Sequence, residues 1–137
     1  MAGLIREYFA ARRSFITETV LAAKAYRHHA LTAKANGYRV TLAYVGLPTI
    51  DECLDRIAKR VAGGGHPVPE ELVRSRWARS HEGLLWFAQH IDEVDVFSNA
   101  AYGGPPKEVA RIRNGALNLI DANELPAVTA VLKQLQR

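Results

Sequence analysis

The chain has 137 residues, 48% hydrophobic and 23% charged, which fits one globular domain with a real core and leaves no room for a second. No apolar run approaches the roughly 20 residues needed to span a bilayer, and the opening MAGLIREYFAARR has charges inside its apolar pattern and no signal-peptide core. A single cysteine, Cys53, excludes an internal disulfide framework and fits the cytoplasm, while a net charge of +4 points to an anionic partner.

Residues 4–12 read as a short amphipathic helix with Leu4, Ile5, Tyr8 and Phe9 on one face. SFITET, residues 14–19, alternates and is rich in β-formers, so it reads as a strand. An alanine-rich helix follows over 22–36, closed by Asn36-Gly37. YRVTLAYVGLP contains the clearest buried strand, with Val40, Leu42, Tyr44 and Val45 bounded by Gly37 and Pro48. Thr49 is placed to cap the next helix, with Glu52 three residues on in the capping-box pattern. That helix carries Ile50, Cys53, Leu54, Ile57 and Val61 until the glycines at 63, 64 and 65 stop it.

A long helix is predicted over 69–90, with Pro69 in its first turn. VDVFSN, 94–99, reads as a strand, YGGPP as a turn, KEVARIR as a short helix and GALNLID as a short strand. An amphipathic helix over 125–135 ends the chain. Strands alternating with helices predict a layered α/β fold with a mainly parallel sheet and flanking helices. In such sheets ligands gather at the carboxyl edge of the strands, which places ETVLAAK and GLPT on the functional edge.

At about 100° per residue, Val73, Trp77, Leu84, Ala88 and Ile91 share the core face of the long helix. Arg76 and Arg79 flank that face on one side and Arg74 on the other. Arg76 and Arg79 are therefore placed to converge on one anion with guanidinium forks that suit phosphate oxygens. The competing reading is a solvated helix face with salt bridges to Glu70, Glu71 or Glu82. The glycines lack the G-x-x-x-x-G-K-[ST] spacing of a P-loop and read as a hinge or an anion nest, with His66 behind them as a phosphate contact or a helix cap. Glu18 and Thr19, at the end of a predicted strand, suit a sugar hydroxyl or an acceptor. No histidine or cysteine spacing marks a metal site, and Cys53 reads as core. The aromatics sit at core-like spacings, which argues against sequence-specific nucleic-acid recognition.

Taken together, SFITETVLAAK, NGYRVTLAYVGLP and RIAKRVAGGGHPVPEELVRSRWARS resemble the zeta-toxin family of P-loop kinases. Small zeta-like proteins carry a strand ending in E-T-T-L-S, a hydrophobic strand ending in L-P, and R-V-x-x-G-G-H-D-V-P before an R-R-[FY]-x-R-S helix. The resemblance implies one zeta-toxin-like domain over 1–137, P-loop-kinase-like but incomplete, with a lid over about 60–80. It implies an ATP-dependent phosphotransferase using Mg²⁺, in a toxin–antitoxin setting, with UDP-N-acetylglucosamine as the substrate of the toxin members. Position by position it implies that Arg60, Arg76 and Arg79 serve the transferring phosphoryl group. It likewise implies that Glu18, Thr19 and Lys24 lie on the substrate side, and that Gly64, Gly65 and His66 belong to the lid.

The chain departs from the family pattern at several places. The P-loop lysine, the Mg²⁺-binding hydroxyl and the general-base aspartate are expected before residue 1. Val20 and Ala22 stand where the family has Thr and Ser, Pro67 where it has Asp, and Gly83 where it has Asn. These changes imply a degenerate member or fragment that is inactive alone, or a non-catalytic binding or regulatory partner for a nucleotide or sugar phosphate. Without the P-loop strand the sheet is expected to rearrange, to dimerise with a second copy, or to pair with a separate polypeptide that completes it.

Overall fold

The computed structural model describes residues 2–101 and 103–137; Tyr102, in the predicted YGGPP turn, lies outside the described residues. In chain order the elements are α1 (Ala2–Ala10), α2 (Ala25–Ala35), β1 (Thr41–Gly46), α3 (Ile50–Ala62), α4 (Glu70–His90), β2 (Glu93–Ser98), β3 (Lys107–Arg113), β4 (Ala116–Leu119) and α5 (Pro126–Leu132), and a 3₁₀ turn follows at Lys133–Gln136. The four strands form one sheet in the order β1-β2-β3-β4.

Local signals explain most boundaries. Gly37 adopts φ 82° after α2, with its amide on the Lys34 carbonyl and the Tyr38 amide on Ala33, which ends the helix in a left-handed cap. Thr49 caps α3, its hydroxyl accepting the Glu52 amide at 3.2 Å. Pro69 stands just outside α4, its carbonyl accepting the Leu72 and Val73 amides.

Three predicted elements need correction. The sheet is mixed, with one parallel pair: β1 runs parallel to β2, while β2, β3 and β4 follow one another antiparallel. The cause is local, because Asn114 (φ 51°) and Gly115 (φ 80°) make a two-residue hairpin that returns the chain directly from Arg113 to Ala116. KEVARIR is strand β3, and the predicted short helix does not form. A register shift opposite Val96 and Phe97 buries both Val109 and Ala110, and with Ile112 this breaks the alternation and mimics helical spacing. Residues 14–19 form no strand. Phe15 is held in an aromatic cluster with Tyr8, Phe9 and Tyr38, while Ile16 is 97% exposed. A β-forming segment with no ladder partner cannot satisfy its backbone as a strand.

The core lies on one face of the sheet. Leu84, Phe87 and Ala88 of α4 and Val128 and Leu132 of α5 pack with Val94, Val96, Ala110 and Ile112, and Leu42 and Tyr44 of β1 join them. Burying each such side chain contributes about 1.5–3 kcal/mol. The opposite face carries charge: Asp95 pairs with Arg113 at 2.8 Å, Glu93 with Arg39, and Glu108 with Arg111. Helix α2 reaches α4 through side chains, with Lys34 donating to the His90 carbonyl and Arg27 over the Trp86 ring. No helix among the described residues is long and apolar enough to cross a membrane.

His81 is buried on α4 edge-to-face with Trp77, and burial pushes its pKa below the ordinary value of 6.5. The unfolded chain therefore takes up this proton more readily than the folded one, so stability present above pH 6.5 is lost as the pH falls through that value. The expected outcome is a melting temperature that drops on acidification below pH 6.5, with a shallower slope in His81→Leu, measured by thermal denaturation across that range.

Candidate functional site

The stretch between α3 and α4 begins as a helix stop. Gly63, Gly64 and Gly65 donate their amides to the carbonyls of Lys59, Val61 and Arg60, at 3.1, 3.0 and 2.7 Å. Gly64 takes φ 101°, and a Cβ on Gly65 would lie 2.9 Å from the Arg60 carbonyl. These amides face back into α3, so Gly64 and Gly65 end a helix, which leaves no anion nest and keeps the hinge reading of the two. His66 follows them on the exposed connection into α4, and Arg60 is exposed in the last turn of α3.

The arginines of α4 separate into two kinds. Arg74 donates to Glu70 one turn earlier at 3.0 Å, the surface ion pair of a solvated helix face. Arg76 and Arg79 are also exposed, but among the described residues no carboxylate lies within salt-bridge distance of either, or of Arg60. Arg79 makes only a long bond, 3.4 Å, to the Ser75 carbonyl. Glu71 and Glu82 take no part in an ion pair among the described residues.

Gly83 links this ridge to the segment carrying Glu18 and Thr19. Seven residues make nearly two helical turns, so Gly83 lies within about 20° of Arg76 around the α4 axis, while Arg79, between them along the axis, is turned about 60° from Arg76. Leu21 docks on Gly83 so closely that a Cβ there would stand 2.5 Å from the Leu21 carbonyl. The Thr19 hydroxyl accepts the Leu21 amide at 3.1 Å and shapes the approach. Leu21 has φ 61°, a left-handed conformation that costs a non-glycine residue about 1–2 kcal/mol. Burial of its side chain, 5% exposed, against Leu84 and Phe87 offsets that cost.

The candidate residues are thus brought together only in part. Gly83, where Leu21 docks, shares one side of α4 with Arg76, and Thr19 holds the Leu21 amide there. Glu18 is exposed and lines a separate cleft of about 400 Å³ with Leu4, Tyr8 and Phe15. Lys24 is exposed at the start of α2. Among the described residues no hydrogen bond or ion pair joins Arg60, His66 or Lys24 to the ridge.

Two further contacts hold the helices to the sheet, one from α3 and one from α4. Arg56 of α3 donates to the carbonyls of Asn99 and Ala100, just beyond β2. The hydroxyls of Tyr44 on β1 and Ser80 on α4 share a hydrogen bond at 3.3 Å, and burial pushes the Tyr44 phenol up against the opposing pull of that bond. The sequence reading missed Arg56, although it sits one turn before Arg60 on α3, a spacing from which it could have been found. Cys53 is half-buried and its thiol is pushed up by burial, which suits a packing role. An open pocket of about 350 Å³ elsewhere, between Arg39, Glu93 and Arg113, is walled by residues already paired with one another.

No family model and no solved structure matches the chain. A protein of Haemophilus influenzae described as "Uncharacterized protein" is 36% identical over 63 residues, which is 46% of this chain and 45% of that relative. The match therefore spans about half the length of each protein.

A methyl group at position 83 has no room while Leu21 is docked. Gly83→Ala is expected to lower stability by about 1–3 kcal/mol and to detach the segment around Thr19. Denaturant unfolding and amide exchange at Leu21 measure the two effects.

Proposed function

We propose that this chain is a phosphate-gripping module of the zeta-toxin-like kinase type that transfers no phosphoryl group by itself. The observation that carries this reading is the pair Arg76 and Arg79: exposed, without a carboxylate partner among the described residues, and on the side of α4 where Leu21 docks on Gly83. Two unneutralised guanidinium groups one helical turn apart make a fork for the oxygens of a nucleotide or a phosphorylated sugar. In phosphoryl transfer such arginines offset charge on the migrating group. ATP with Mg²⁺ is the cofactor of that chemistry, and a P-loop lysine, a metal-binding hydroxyl and a general base would have to come from outside residues 1–137.

Gly83 favours binding over transfer. The resemblance expects an asparagine there, yet the Leu21 carbonyl fills the space that its side chain would need. Glu18, expected to face substrate from the same segment, lines the cleft beside α1. Both changes remove polar groups from the ridge while leaving the arginines in place, as a nucleotide- or sugar-phosphate-binding partner protein would require.

Calorimetric titration with ATP–Mg²⁺ and with UDP-N-acetylglucosamine tests the reading. At least one is expected to bind, with Arg76→Ala and Arg79→Ala each weakening it by about tenfold or more, the scale of a lost charged hydrogen bond. Arg74→Ala, whose side chain is already paired with Glu70, should leave binding close to that of the parent. No ADP should form with the chain alone. Equal binding by the double Arg76→Ala/Arg79→Ala variant would sink the proposal. Salt-sensitive binding of nucleic acid without nucleotide binding would reassign the arginines to a nucleic-acid backbone.

A further inference from the structure

Residues 2–21 touch the rest of the molecule at few points. Helix α1 has nine residues and makes no extended contact with another helix or strand. Among the described residues, no backbone–backbone hydrogen bond involves residues 14–23. Only Ile5 and Leu21 are buried among the described residues before Ala25. The cleft of about 400 Å³ that Glu18 lines is bounded by Leu4, Ile5, Tyr8 and residues 13–18, so it opens within this stretch and not against the core.

Three side-chain pins hold the stretch in place. The Tyr38 hydroxyl, just before β1, donates to the carbonyls of Tyr8 at 3.1 Å and Arg13 at 3.0 Å, and its ring meets those of Phe9 and Phe15. The hydroxyls of Thr17 and Tyr26 share a hydrogen bond at 3.1 Å. Leu21 seats its side chain in the core and its carbonyl over Gly83, in a left-handed conformation at φ 61°.

We infer that residues 2–21 form an arm that leaves and rejoins the core as one unit while the sheet stays folded. A helix of fewer than about 12–15 residues is marginal alone in water, so α1 folds on docking and melts on release. The segment after it has no ladder to resist release, and the strain at Leu21 is offset by the burial of one side chain. Release uncovers Leu84 and Phe87, with which Leu21 packs, and Gly83, on the side of α4 that carries Arg76. The arm is therefore an order–disorder cover for that side of the helix. The inference does not depend on what Arg76 and Arg79 bind.

The test is amide exchange of the full chain, followed residue by residue, with thermolysin cutting as a second readout. The amides of Ala11 and Arg13, bonded to the carbonyls of Glu7 and Tyr8, report the arm, and those of β2 and β3 report the sheet. In the parent, the arm amides are expected to have protection factors about a hundredfold or more below those of the sheet. Leu21→Ala should lower arm protection by about tenfold or more. Tyr38→Phe, which keeps the ring, should lower it by about threefold or more. Each variant should change Ala11 and Arg13 by the same factor, and should raise thermolysin cutting at Ile16 and Val20 by that factor. Ile112→Val, inside the sheet core, should lower protection of the sheet and leave the arm unchanged. Equal protection of arm and sheet, or an arm loosened as much as the sheet by Ile112→Val, would overturn the inference, because the arm would then open only with global unfolding. So would faster cutting at Val20 in Leu21→Ala with Ala11 and Arg13 as in the parent, because the two ends would then move separately.

Discussion

Helix α4 and the glycine within it hold this molecule together. On one side Leu84 and Ala88 are fully buried against the sheet, and on another Gly83 admits the Leu21 backbone at a distance no side chain would allow. Through that approach the first 24 residues, which contribute no strand to the sheet, are fastened to the core. Helix α2 reaches α4 through Lys34 and Arg27, and β1 reaches it through Tyr44 and Ser80. Close packing makes such a contact nearly all-or-none, because a methyl group in the gap has nowhere to go.

The same helix sorts its arginines by their partners. Arg74 is paired with Glu70, whereas among the described residues Arg76 and Arg79 pair with no carboxylate, although Glu82 lies one turn beyond Arg79. Unpaired guanidinium groups on an exposed ridge cost little in water, so nothing in the fold demands their presence there. Their position on the side of α4 where Leu21 docks on Gly83 is what turns a charged helix face into a candidate anion grip.

The sheet is finished unevenly. Its β4 side is short and met by the end of the chain, and its charged face is closed by ion pairs such as Asp95–Arg113. Its β1 side keeps a regular, uncharged edge with apolar neighbours exposed.

Local chemistry alone determined much of this molecule. The Thr49 cap, the Asn36-Gly37 stop, the span of α4 and the alternation within β2 all depend on residues within a turn or two of one another, and all were readable. The two-arginine side of α4 was also readable, because helical periodicity needs no tertiary partner. Asn114-Gly115 carried an equally local hairpin signal that identifies β3, but the bulge at Val109 and Ala110 imitated a helix. What only the tertiary structure decided were the matters that depend on distant partners. SFITET has every residue preference of a strand and is not one, since a strand exists only where another backbone meets its hydrogen bonds. Glu18 and Thr19, neighbours in sequence, part company because Thr19 shapes the turn onto Gly83 while Glu18 lines the cleft beside α1. The glycines after α3 spend their amides on the helix they end, and their spacing could not show which way those amides would point.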